Sequence, residues 1–99
     1  MVEEPREELS GWELKRLKNA VKAYTIYSSP IEHTDAEVQE LYGISRATYY
    51  RYRKSFYFEI VSQTARMAYK NGEELNMELL IVITEQIKAD GALEEQEGE

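Results

Sequence analysis

The 99-residue sequence contains no cysteine, one histidine and two prolines. Without cysteine, the chain has no disulfide framework and no thiolate ligand for a metal ion. The single histidine, His33, has no second imidazole or thiolate to work with, so we expect no metal site and no Ser–His–Asp arrangement. Because the chain also lacks a glycine-rich phosphate loop, we expect neither enzymatic activity nor a bound cofactor.

Long apolar runs are absent too. No segment reaches the roughly 18 apolar residues that a membrane-spanning helix needs, and residues 1–9 are acidic and lack the apolar part of a signal peptide. We therefore expect a cytoplasmic protein with no membrane partner. A chain of this length fits one domain that buries only about 65% of its unfolded surface, so association with further copies would stabilise it.

The net charge is −7, which argues against binding to nucleic acid. The charge is unevenly distributed, however: residues 11–28 and 46–60 are basic, whereas residues 1–10, 29–45 and 91–99 are acidic. A cationic surface acts over a Debye length of about 8–10 Å. A local basic face can therefore bind phosphate despite the net charge.

Residues 34–54 have the pattern of two short helices joined by a tight turn. Thr34 and Glu37 form a capping-box pattern that begins a helix over residues 35–42. Gly43 suits the left-handed position after that helix, and Ser45 suits the N-cap of a second helix over residues 46–54. The side chains expected to face inward on the two helices are Val38, Leu41, Tyr42, Tyr49 and Tyr52, and Ile44 is expected to be a buried turn residue.

The second of these helices carries Arg46, Arg51, Arg53 and Lys54 and contains no acid. Arginine is well shaped to contact guanine or phosphate with two hydrogen bonds. The pattern therefore predicts a DNA-binding surface composed of Ser45, Arg46, Ala47, Tyr50, Arg51, Arg53 and Lys54.

A capping-box pattern at Ser10 and Glu13 predicts an earlier helix over residues 10–27. Its apolar stripe consists of Leu14, Leu17, Val21 and Tyr24. Four cations fall largely off this stripe, and they form either a solvated face or a phosphate-contacting face: Lys15, Arg16, Lys18 and Lys22. Pro30 ends the helix, and His33 is expected to make a loop or cap contact.

The C-terminal half is expected to form two more helices. The first runs from residue 56 to the stop signal Asn71–Gly72, with Phe56, Ile60, Thr64 and Met67 at helical spacing. The alternatives are a strand at residues 56–61 and a hairpin turn at Asn71–Gly72.

The second, over residues 73–89, is apolar around most of its circumference. This predicts burial on more than one side and hence a homo-oligomer, although a central core helix or a strand would also fit. The oligomerisation residues are expected to be Leu75, Leu79, Val82, Ile83 and Ile87.

Residues 43–51, GISRATYYR, resemble the helix-turn-helix segment of homeodomain-like DNA-binding proteins. The resemblance covers about a fifth of the chain and implies that double-stranded DNA is the ligand. Gly43 would be the turn residue, Val38, Ile44, Tyr49 and Tyr52 would be core, and Ser45, Arg46, Ala47, Tyr50 and Arg51 would face DNA. One position departs from the family pattern, because Gln39 stands where alanine is usual and the two helices cross closely.

The layout of the whole chain looks like that of phage terminase small subunits, which recognise viral DNA for packaging. It implies an all-α fold with a flexible acidic arm (residues 1–9), a helix-turn-helix domain (10–55), a helical oligomerisation region (56–90) and a disordered acidic tail (91–99). It further implies a location in the host cytoplasm and a large motor–nuclease subunit as a partner through the acidic tail.

Other interpretations stay open. A small transcriptional regulator would bind operator DNA as a dimer, and a transposase or recombinase fragment would carry a similar segment. A protein-interaction module that keeps the helix-turn-helix shape would suit the acidic balance.

Overall fold

The computed structural model describes residues 8–93, which form five α-helices. This part of the chain contains no strand, which confirms the all-α prediction and excludes the strand and hairpin alternatives. Most of the predicted arm (1–9) and tail (91–99) lies outside the described residues. The helices are α1 (Gly11–Ser28), α2 (Asp35–Tyr42), α3 (Arg46–Arg53), α4 (Phe56–Lys70) and α5 (Met77–Ala89).

Local capping sets the beginnings of α1 and α2. The Ser10 hydroxyl accepts a hydrogen bond from the Glu13 amide at 3.1 Å, and the Glu13 carboxylate accepts one from the Ser10 amide at 2.9 Å. Thr34 and Glu37 make the same pair of bonds at 3.2 and 2.9 Å. Both predicted capping boxes are confirmed, and each satisfies two backbone donors that helix formation leaves free.

Helix α1 lies at the centre of the fold and packs against both α3 and α4. Of the predicted apolar stripe, only Leu17 is fully buried, and the other members are half-buried. The buried face consists instead of Leu17, Ala20, Ala23 and Ile26. The small alanines allow neighbouring helices to approach closely, which apolar spacing alone does not reveal.

Helix α2 packs mainly on α3 and buries one side chain, Val38. The prediction that Leu41 faces inward is wrong, because its side chain is 62% exposed. Helix α2 is short and is covered by the protein on one side only, so it buries Val38 but not Leu41. Gln39 is exposed, so it lies away from the close approach to α3 that alanine usually occupies.

Helix α4 ends in a Schellman motif at the predicted stop signal. Gly72 adopts φ +72°, and the Glu73 and Gly72 amides donate to the Ala68 and Tyr69 carbonyls. Within α4, the hydroxyl of buried Thr64 donates to the Ile60 carbonyl at 2.8 Å. Met67 is 57% exposed, so its predicted place on the inward face is wrong.

Helix α5 begins at Met77 rather than at residue 73. The Asn76 side chain accepts a hydrogen bond from the Leu79 amide at 2.8 Å, which makes Asn76 the N-cap. Only Leu80 and Thr84 are fully buried in α5, and the Thr84 hydroxyl donates to the Leu80 carbonyl.

The predicted oligomerisation residues divide into two groups. Leu79 and Val82 are 37% and 42% exposed, whereas Leu75, Ile83 and Ile87 are partly buried against the main core. The core cluster contains Leu17 of α1, Tyr49 of α3, Tyr57 of α4 and Leu80 of α5. One hydrophobic core therefore joins the segments on either side of the predicted domain boundary at residues 55 and 56.

An ion pair links the end of α5 to the start of α1. The Lys88 ammonium lies 2.7 Å from the Glu13 carboxylate and donates to the Glu8 carbonyl at 3.0 Å. Burial raises the pKa of Glu13, but hydrogen bonds from Lys88 and the Ser10 amide, together with the Lys88 charge, outweigh burial and hold that pKa below its usual value. Glu13 is thus both a capping residue and a tertiary contact.

Candidate nucleic-acid interface

Helix α3 is fixed to the core by one face and exposes the other. Ser45 is its N-cap, with the hydroxyl accepting from the Thr48 amide at 3.1 Å. Tyr49 and Tyr52 are buried, and the Tyr52 hydroxyl accepts from the Asn19 amide nitrogen of α1 at 3.4 Å. The opposite face is exposed and presents Ala47, Tyr50, Arg51 and Lys54.

A cleft of about 980 Å³ runs between α1 and α3 beside this exposed face. Its basic side chains come from both helices: Lys15, Arg16 and Lys22 from α1, and Arg51 and Lys54 from α3 and its C-cap. Among residues 8–93, no carboxylate side chain lines the cleft. An acidic chain thus gathers five cations on one concave surface.

The turn between α2 and α3 forms one end of the cleft. Gly43 has φ +73°, the left-handed conformation predicted for it, and its amide donates to the Gln39 carbonyl at 2.9 Å. The Lys22 ammonium lies over this turn, 4.0 Å from the place that a Cβ atom on Gly43 would occupy. Lys22 therefore adds its positive charge next to Ser45 and the N-terminus of α3, where the helix dipole already favours an anion.

Arg46 is directed away from the cleft. Its guanidinium donates to the Asp35 carboxylate and to the His33 carbonyl, both at 2.7 Å. The hydrogen bond to Asp35 raises the pKa of Arg46 above its usual value. With Tyr49 and Tyr50, Arg46 lines a separate cavity of about 580 Å³ on the other flank of α3. Arg46 thus fastens α3 to the start of α2.

Arg53 also lies outside the cleft. Its guanidinium carbon is 4.4 Å from the ring centre of Tyr27 and 6.0 Å from that of Phe58. Such stacking holds an arginine by a cation–π interaction. The seven residues predicted to face DNA therefore separate by position: Ser45, Arg51 and Lys54 line the cleft, Ala47 and Tyr50 lie on the outward face, and Arg46 and Arg53 contact the protein itself.

His33, for which a loop or cap contact was expected, has its Nδ1 atom 3.8 Å from the Glu37 carboxylate, while its carbonyl accepts a hydrogen bond from Arg46. Within the described residues, no group of three or more metal-binding side chains occurs. No helix there is long and apolar enough to cross a membrane.

No family model, curated protein or solved structure matches this chain.

The sequence left open which way the α1 cations point. Lys15, Arg16 and Lys22 line the cleft, whereas Lys18 is exposed and is not part of its lining. Sequence reasoning missed Trp12, Asn19 and Thr48 as lining residues. The first two recur with Lys15, Arg16 and Lys22 at spacings of three and four, which is the signal of one helix face.

Proposed function

We propose that this protein binds double-stranded DNA through α3 and the basic cleft between α1 and α3. The observation that carries the proposal is the convergence of five cations from two helices in a cleft whose described lining contains no carboxylate. Ordinary surface charge on an acidic chain would be interspersed with carboxylates. A cluster of one sign is the electrostatic footprint of a polyanion site.

The exposed face of α3 suits the major groove. The groove is about 12 Å wide and admits an α-helix, and α3 presents Ala47, Tyr50 and Arg51 on that face. In this arrangement Arg51 contacts guanine or phosphate, and Ala47 and Tyr50 supply apolar contact to a thymine methyl group. The α1 cations then meet the phosphates of a flanking strand.

The net charge of −7 should lower the affinity of each copy of the protein for DNA. Repulsion between the acidic surfaces and DNA weakens non-specific association, especially at low salt. We therefore propose modest affinity per copy, with several copies acting together through multivalency.

Replacement of Arg51 tests the role of α3. We expect Arg51→Ala to weaken duplex binding by about 1–3 kcal/mol in a fluorescence anisotropy titration at low salt. Arg66→Ala is the matched control, because Arg66 is an exposed arginine on α4 outside the cleft. Arg46→Ala should weaken DNA binding less than Arg51→Ala, since the Arg46 guanidinium is bonded to Asp35.

If Arg51→Ala and Arg66→Ala bind duplex DNA equally well, α3 is not the recognition helix. Absence of duplex binding by the parent protein would instead favour the protein-interaction module.

We also propose that the protein forms a homo-oligomer through the exposed apolar side chains of α5. Leu79 and Val82 support this proposal, because both apolar side chains are exposed, three positions apart, on the same helix. A ring of many copies would fit a viral packaging subunit that passes DNA to a motor–nuclease partner. A dimer would fit a transcriptional regulator with half-sites about 34 Å apart.

Light scattering with and without duplex DNA distinguishes these assemblies. We expect the double substitution Leu79→Asp and Val82→Asp to lower the mass to that of a single chain while far-UV circular dichroism stays helical. Met67→Asp with Tyr69→Asp is the control, since these exposed apolar residues lie on α4. A parent protein that is monomeric at high concentration would contradict the oligomer proposal.

A further inference from the structure

The basic cleft contains aromatic side chains that binding to duplex phosphates does not require. Trp12 and half-buried Phe56 line it together with the five cations, beside Tyr52, whose ring is buried in the core. Grooves that bind single strands combine these two features: cations follow the backbone, and aromatic rings stack on unpaired bases. Within a duplex, each base is stacked between its neighbours and has no free face. Aromatic rings in the cleft could therefore contact only the backbone and the edges of the bases in the grooves.

Trp12 is the most accessible of the three rings. It lies in the first turn of α1 and is 61% exposed, which is unusual for the largest apolar side chain. The Arg16 guanidinium carbon lies 4.5 Å from its ring centre. Because Arg16 covers one face of the indole and most of the ring still meets solvent, a second planar group can stack on it.

The cleft is large enough to hold a base and its sugar as well as a phosphate. Its volume of about 980 Å³ lies at the upper end of the roughly 300–1,000 Å³ range of pockets that hold drug-sized molecules, a size class that includes a mononucleotide. Lys15 lies one turn along α1 from Trp12, so the backbone phosphate of a nucleotide whose base stacks on Trp12 has a cation within reach.

We propose that the cleft also binds single-stranded DNA, with an unpaired base stacked on Trp12 and the adjoining phosphates on Lys15, Arg51 and Lys54. This inference rests on the proposed function, because it uses the same cleft and cations. It adds a distinct ligand, an unpaired stretch such as a DNA end or a melted segment, and assigns Trp12 as its stacking platform.

Trp12 is the only tryptophan in the chain, so its fluorescence reports directly on stacking. The probes are an oligothymidine of about ten nucleotides and a blunt duplex, each followed by tryptophan emission and, with a labelled strand, by anisotropy. We expect the oligothymidine to quench Trp12 emission strongly and the duplex to quench it weakly at equal saturation.

Two substitutions separate stacking from folding. Trp12→Ala should weaken binding of the oligothymidine by about 5- to 150-fold and weaken duplex binding by a smaller factor, because a duplex offers the ring no unpaired base. Trp12→Phe keeps a ring and should recover most of the lost single-strand affinity. Thermal unfolding by circular dichroism confirms that both variants remain folded.

The outcomes distinguish this inference from the proposed function. Duplex binding without preferential quenching by the oligothymidine, or equal weakening of both ligands by Trp12→Ala, would overturn the inference alone. Single-strand binding without duplex binding would overturn the proposed function and support the stacking site. Binding of neither ligand would overturn both.

Discussion

Arg46 and Arg51 are five positions apart on α3 and have the same side chain, yet they meet different surroundings. Arg46 bonds to Asp35 and the His33 carbonyl, whereas Arg51 lines the basic cleft. The sequence predicted both as DNA-facing because both are arginines on a helix that contains no acid. It could not show that Asp35, eleven residues earlier, would lie within 2.7 Å of Arg46, since that distance depends on how α2 crosses α3.

Glu13 provides a stability test at the same scale. Its carboxylate bonds to both Lys88 and the Ser10 amide. We expect Glu13→Gln to lower the free energy of unfolding near neutral pH by about 1–2 kcal/mol, because a charge-assisted contact between α1 and α5 is lost. Glu40→Gln, at an exposed glutamate, should change it by less than about 0.5 kcal/mol.

The parent and Glu13→Gln should differ in their free energy of unfolding by an amount that depends on pH, because the pKa of Glu13 is lowered in the folded state. As the pH falls below 4.5, the carboxyl group is protonated in the unfolded state before it is protonated in the folded state. The contribution of Glu13 is therefore complete above this range and is lost as the pH falls through the folded-state pKa. Chemical denaturation should show parent and Glu13→Gln converging in acid, and a gap that widens in acid would contradict this role.

At the scale of elements, the features that could be predicted are those set by a few neighbouring residues. The caps at Ser10, Thr34 and Ser45 and the turn at Gly43 are confirmed, because a cap depends on side chains within about one turn. The inward positions of Leu41 and Met67 were wrong, because apolar spacing does not tell which side of a helix a neighbour covers. The prediction that α5 begins at residue 73 is wrong for a local reason, because the N-cap residue Asn76 sets the start of the helix at Met77.

Gly43 tests the turn between α2 and α3. Its φ of +73° places an added Cβ in the disfavoured left-handed region, so we expect Gly43→Ala to destabilise the protein by about 1–2 kcal/mol. Gly11→Ala is the control: Gly11 has a negative φ, and nothing lies within 4 Å of its added Cβ. Thermal unfolding followed by circular dichroism measures both effects, and Gly11→Ala should be neutral or slightly stabilising. Equal effects of the two substitutions would show that the turn conformation is not required.

At the scale of the whole molecule, the cleft arises from helices that are distant in sequence. Burial of Leu17 in α1 and of Tyr49 and Tyr52 in α3 brings the two basic segments side by side. The sequence showed both segments but left the direction of the α1 cations open. Only the packing of α1 on α3 separates Lys15 and Lys22 from Lys18.

The salt dependence of duplex affinity tests most directly whether α1 and α3 form one DNA-binding surface. The logarithm of the association constant should fall linearly with the logarithm of salt concentration, with a slope of about −0.9 for each phosphate contact. The test variant is Lys15→Gln with Lys22→Gln. The control is Lys18→Gln with Lys70→Gln, which removes the same charge from exposed lysines outside the cleft.

We predict that the cleft variant has a slope shallower than that of the parent by about 1.8, whereas the control keeps the parent slope. Equal slopes in the two variants would show that Lys15 and Lys22 do not contact the phosphates, and would contradict a single DNA-binding surface formed by α1 and α3.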